Sequence, residues 1–292
     1  HHFGSADRSS LSNYMGNLGG RACGARIVFR AATLQYGADT LRGSGRRLEF
    51  RSSEWMLICF FGYIVAVSPL FRDRPTLKYQ PLFALVVVFA LLWLIALVEQ
   101  TRFAKAASIV RDWLPLVITL GAFREMELFL PVRFEHSFEA AWIQWDHLLL
   151  GEWHARSMIE SLGSVIPFWL ELCYLLVYGT GFFCVALLYF QHRRVQVSRF
   201  LTVYLIGTLL AYALFPYFPS EPPRIVYPNI DHPLITTWVR TLNLWILKVG
   251  TIHVGVFPSA HVSSVFSASW GMFLVLPEQK VFGCGLGLYA LS

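Results

Sequence analysis

A chain of 292 residues in which 55% are hydrophobic and only 14% charged falls well short of the roughly 25% charge of soluble globular proteins. With a mean hydropathy of +0.51, this argues against a water-soluble domain and for an integral membrane protein. The net charge of +6 is scattered between apolar runs rather than gathered into one patch, which argues against nucleic acid and leaves the lipid bilayer and its anionic headgroups as the counter-charge.

Residues 1–54 are rich in Gly, Ser and Arg and lack helical or strand periodicity, so they read as a flexible N-terminal segment. The opening "HHFGS" reads as a tag remnant. The chain begins with His1 and stops at Ser292 inside an apolar stretch, so both ends read as fragment boundaries.

Two apolar runs, 55–71 and 81–98, form an expected transmembrane hairpin within 55–107. The remainder, 108–292, is expected to be a second transmembrane unit. Its runs are a weak one at 113–123, a long one at 165–190 interrupted by Pro167 and Glu171, then 200–215, 262–276 and 281–291. Several are shorter than the roughly 20 residues a bilayer requires, so their ends must reach into flanking sequence. Runs of this kind are helical in lipid. Between them, "AAWIQWDHLLLGEWHARSMIE" and "TTWVRTLNLWILK" read as helices lying at the interface. The expected fold is an all-α membrane bundle of about six to seven spans with one or two interfacial helices.

The basic residues suggest an orientation. Arg193, Arg194 and Arg199 mark the side between the fourth and fifth spans as cytoplasmic, and alternation places Arg102, Lys105 and Arg111 there too. Arg72, Arg74 and Lys78 oppose this assignment. Cys23, Cys59, Cys173, Cys184 and Cys284 form no CxxC pair and mostly lie in apolar runs, so they read as small buried residues. No metal site and no cofactor are expected.

Under this topology two motifs meet at the non-cytoplasmic face: "FPYFPSEPPRIVYP", carrying Arg224, and "FPSAH", carrying His261. Pro258 suits a helix first turn. The N–H groups that follow lack helical acceptors and favour an anion. Ser259 adds a hydroxyl donor. His261 can exchange a proton near neutral pH. Arg224 offers a planar cationic fork suited to phosphate oxygens, with Glu221 placed to orient it. Together these residues suggest a phosphate cradle with a proton-transfer group; the plainer reading is a capped helix with an interfacial histidine. His232 beside Asp231, His253, and the Asp146–His147 pair read as solvated or interfacial side chains. Glu171 inside an apolar run is either near the interface or paired within the bundle. Ser263, Ser264, Ser267 and Ser269 read as helix-packing residues rather than nucleophiles.

"FPSAH" resembles the second signature of the type 2 phosphatidic acid phosphatase superfamily, usually Pro-Ser-Gly-His, with Ala260 in place of the glycine. "PSEPPR" resembles the first signature in the branch related to inositol phosphorylceramide synthases. "RDWLP", "REME" and "WDHLLLG" are similar to that branch as well, so the resemblance spans about 108–292. It implies metal-independent phosphoryl transfer from a membrane lipid phosphate. His261 would protonate the leaving oxygen, while Ser259 and Arg224 hold the nonbridging oxygens. The attacking histidine would lie in a third signature. No histidine follows His261, so the 292-residue chain is expected to stop short of its nucleophile and to be inactive. The expected activity of the intact protein is a lipid-phosphate phosphatase. A lipid phosphotransferase and a non-catalytic lipid-phosphate binder or transporter are the alternatives.

Overall fold

The computed structural model describes residues 49–71, 74–131, 136–222, 226, 235–250, 252 and 257–291. They are all-helical, with no strand among them. In chain order the helices are α1 (Ser52–Val67), α2 (Gln80–Val98), α3 (Ala104–Glu125), α4 (Ser137–Asp146), α5 (Ala155–Ser161), α6 (Val165–Val177), α7 (Thr180–Phe190), α8 (Val197–Leu214), α9 (Trp238–Gly250), α10 (Ala260–Val275) and α11 (Lys280–Ala290).

Four segments are long and apolar enough to cross a membrane: Ser52–Leu70, Gln80–Val98, Ala104–Phe129 and Arg194–Tyr217. A fifth is added if α5 and α6, bent by 103° at their junction, count as one broken span. The expected single run over 165–190 is two helices, α6 and α7, interrupted at Tyr178 and Gly179. The weak third run belongs to a 22-residue helix, α3, with Pro115 inside it. The Thr119 hydroxyl donates to the Pro115 carbonyl at 2.7 Å. The interfacial stretch at 140–160 falls on α4, a π-helical turn at His147–Glu152, and α5.

α8 lies at the centre, packed on α1, α3, α7 and above all α10. Leu57, Phe60 and Ile64 of α1 join Leu201, Leu205 and Phe215 in one buried core. By contrast α2 leaves Leu82, Phe83, Val86, Phe89 and Leu94 exposed; an apolar face of this extent suits lipid rather than water.

The α8–α10 contact depends on small residues. A Cβ placed on Gly207 would lie 1.7 Å from the Ser267 hydroxyl oxygen. Ser263 donates to the Gly207 carbonyl at 2.8 Å. Farther along α10, Ser269 donates to the Gly283 carbonyl of α11 at 2.7 Å. These serines let backbones approach and satisfy carbonyls across the interface, the usual work of small polar residues between membrane helices.

One end of the bundle is fastened by charge. α1 begins at Ser52, so Arg51 and Glu54, expected in the flexible segment, are instead part of a structured network. Glu54, with no exposed surface, accepts from Arg111 Nε at 2.6 Å and Nη2 at 2.5 Å. It also accepts the Arg51 backbone N–H at 2.7 Å, closing the α1 N-terminus. Asp112 accepts from Arg51 at 2.5 Å, from the Tyr189 hydroxyl at 2.5 Å and from Arg194 at 2.7 Å. Glu99 accepts from Arg51 at 3.2 Å and also from Arg111. Three arginines thus face three carboxylates, drawn from the start of α1, the C-terminus of α2, the body of α3 and the link between α7 and α8. Arg193 bonds Glu278 at 2.5 Å, which brings the end of α10 to the same side. Arg124 at the far end of α3 and the start of α10 lie away from these charges, and with residues of α6 and α9 they line a cavity.

Candidate functional site

α10 starts at Ala260 because Ser259 caps it: the Ser259 hydroxyl oxygen accepts the Val262 N–H at 3.3 Å. Such a cap satisfies one of the four orphan donors of a helix start. Pro258 lies just before the cap, not in the first helical turn as the sequence suggested. Ala260 is buried and packs into the core, so a methyl side chain is accommodated at this position.

His261 occupies the second helical position and faces a cavity of about 680 Å³ between α3, α6, α7, α8, α9, α10 and α11. Its ring is held between two tyrosines of α6 and the turn that follows. Tyr174 stacks on it at 4.9 Å with planes 14° apart, and Tyr178 meets it edge-on at 5.2 Å. These contacts fix the imidazole plane. The ring nitrogen Nε2 is buried and has no hydrogen-bond partner, while the His261 carbonyl accepts the Ser264 hydroxyl at 2.9 Å. A buried nitrogen without a partner normally costs free energy. His261 as a residue lines the cavity, but this nitrogen is itself covered, so a bound group supplies the missing bond only once the surrounding side chains shift.

Arg124, at the C-terminal end of α3, lines the same cavity and donates to the Gly250 carbonyl of α9 at 3.3 Å. Ser259 and Pro222 line it too. The proline-rich loop therefore reaches the cavity two residues before Arg224. Arg224 itself, with Asp231, His232 and His253, lies outside the described residues. Glu221 is described: its backbone N–H donates to Glu139 at 2.7 Å, tying the loop to α4. Asp146 and His147 are exposed at the end of α4 and its π-helical turn.

Glu171 has a structural partner set. It accepts from Arg240 and from the Asn243 amide, each at 2.7 Å, and its backbone carbonyl accepts from the same amide at 2.8 Å. This acid fastens amphipathic α9 onto α6, beside the cavity. α9 turns Trp238, Leu244 and Trp245 outward.

Sequence reasoning singled out Ser259, Ala260 and His261, and the structure places all three at the start of α10. It missed Arg124, Tyr174 and Tyr178. Tyr174 and Tyr178 fall inside the apolar run 165–190, and Arg124 stands just past the run 113–123. The available signal was the spacing of Tyr174 and Tyr178, which puts both rings on one helix face. Among the described residues, no group of three or more His, Cys, Asp or Glu is placed to hold a metal ion. No protein-family model, curated protein or solved structure matches this chain.

Proposed function

We propose that this is an integral membrane lipid-phosphate phosphatase acting at the non-cytoplasmic boundary of the bilayer. In this reading α6 and α7 together make one interrupted span, which with α10 and α11 adds three to the four long spans for a total of seven, and α4 and α9 lie at the interface. The observation that carries the reading is the aromatic-clamped His261 ring, with its buried and unpartnered nitrogen, at a capped helix start beside a largely apolar cavity.

The chemistry follows from these groups. In the family that these signatures resemble, a histidine of a third signature attacks phosphorus; residues 262–292 contain no histidine. The P–O bond to the lipid breaks, and protonated His261 gives its proton to the leaving oxygen. Water then attacks the phosphohistidine, with His261 now accepting a proton. The α10 N-terminus, the Ser259 hydroxyl and Arg224 neutralise charge on the nonbridging oxygens. Transfer to a lipid alcohol instead of water uses the same first step. The apolar walls of the cavity are compatible with such an acceptor, which makes a lipid phosphotransferase the second reading.

The test is phosphate release from phosphatidic acid and an isoprenoid diphosphate, in detergent with chelator, by the full-length protein. Loss of a general acid lowers turnover by about 10²–10⁴-fold, so His261→Ala is expected to fall by that range with substrate binding retained. Undiminished turnover by His261→Ala, or complete loss of wild-type turnover on chelation, overturns the mechanism. Phosphotransfer to added lipid alcohol without phosphate release selects the second reading.

A further inference from the structure

The cavity is polarised along α3. Arg124 is exposed at one end and is the one permanently charged side chain among the described lining residues. Leu116, on the same helix and the same cavity wall, lies eight residues deeper, or about 12 Å at the helical rise. Between and around them are Leu120, Phe123, Phe182 and Val265, with Tyr204, Tyr212 and Thr119, whose hydroxyl is turned to the Pro115 carbonyl. A site with a cation at its mouth and apolar walls behind it matches an amphiphile with an anionic head and a hydrocarbon tail. A soluble anion would gain nothing from the inner part.

We propose that Arg124 holds the phosphate head of such an amphiphile and that the tail runs inward along α3 towards Leu116. The head-group identity rests on the lipid-phosphate reading above; the polarity of the cavity does not. Arginine is suited to the task because its planar fork meets two phosphate oxygens at once. Its bond to the Gly250 carbonyl holds the side chain against the end of α9. Arg124 thereby also separates this inference from the part assigned to Arg224 and His261: it positions the head, and His261 handles the proton.

The experiment measures binding of dioleoyl phosphatidic acid, a six-carbon-chain phosphatidic acid, glycerol 3-phosphate and dioleoyl phosphatidylcholine to the detergent-purified chain. Arg124→Gln, Arg124→Lys, Leu116→Trp and the distant control Lys280→Gln are compared with wild type. Arg124→Gln is expected to weaken long-chain phosphatidic acid at least tenfold, in keeping with loss of a charge-assisted bond. Arg124→Lys restores most of that loss, and Lys280→Gln changes nothing. Leu116→Trp weakens the long-chain lipid while leaving the six-carbon form bound as in wild type, which also reports that the variant is folded. Glycerol 3-phosphate is expected to bind at least tenfold more weakly than dioleoyl phosphatidic acid.

Equal binding by wild type and Arg124→Gln, equal affinity for phosphatidic acid and phosphatidylcholine, or equal affinity for lipid and glycerol 3-phosphate overturns the proposal. Arg124-dependent binding in a full-length protein that releases no phosphate upholds this inference and removes the phosphatase reading instead.

Discussion

Substituting Glu54 by Gln tests whether the charged fastening holds the bundle. Glu54 has no exposed surface and takes two short hydrogen bonds from Arg111 and one from the Arg51 backbone. Glutamine keeps the size and one acceptor oxygen but removes a charge. Three arginines then share two carboxylates, and Arg111, itself 5% exposed, loses the fork that matches its guanidinium. Breaking a buried pair by removing one partner costs about 3–5 kcal/mol, because the remaining charge stays desolvated. Even the lower figure of about 3 kcal/mol shifts the folded-to-unfolded ratio on the order of a hundredfold. The assay is reversible denaturant or thermal unfolding in a fixed detergent, compared with the double variant Glu54→Leu with Arg111→Met. Glu54→Gln should be strongly destabilised. The double variant should recover a large part, since an apolar pair carries no unpaired charge. A loss below about 1 kcal/mol for Glu54→Gln, the range of an exposed ion pair, would refute the reasoning.

Two further changes probe the same framework. Burial pushes the Glu99 carboxyl up, but its hydrogen bond to Arg111 and the charges of Arg111 and Arg51 outweigh this and hold it below its ordinary 4.5. Its stabilisation is therefore in place above that ordinary value and fades as pH falls through the lower folded value. Acidification should cost wild type more stability than Glu99→Gln, and equal losses in unfolding midpoints would contradict it. At the α8–α10 contact, Gly207→Ala pushes a methyl into the Ser267 side chain and should destabilise by about 1–3 kcal/mol. Adding Ser267→Gly removes the clash and should restore much of it, as read by the same unfolding assay.

Helices were legible because long apolar runs in this composition have no other stable backbone solution. Their limits were less so. α3 starts at Ala104 rather than 113, since Arg111 and Asp112 look like a break in hydropathy. Their neutralising partners come from Arg51, Glu54, Glu99 and Arg194, dispersed along the sequence and brought together by folding. The same reason hid Arg51 and Glu54 behind a tail-like composition. The break between α6 and α7 carried no strong signal, since Tyr178 and Gly179 continue an apolar run. His261 and Ser259 were legible because a proline–serine pair before a helix has a local meaning. The tyrosine clamp and the cavity were not, since they depend on which helices become neighbours.

The six-charge cluster meets α3 in its N-terminal half, at Arg111 and Asp112, whereas Arg124 stands about 18 Å farther along the same rod. A rivet so placed divides the molecule mechanically. Leverage is smallest at Asp112 and greatest at the rim of the cavity, so a parting of these helices would pivot on the arginines and widen towards Arg124, as the tips of tweezers do.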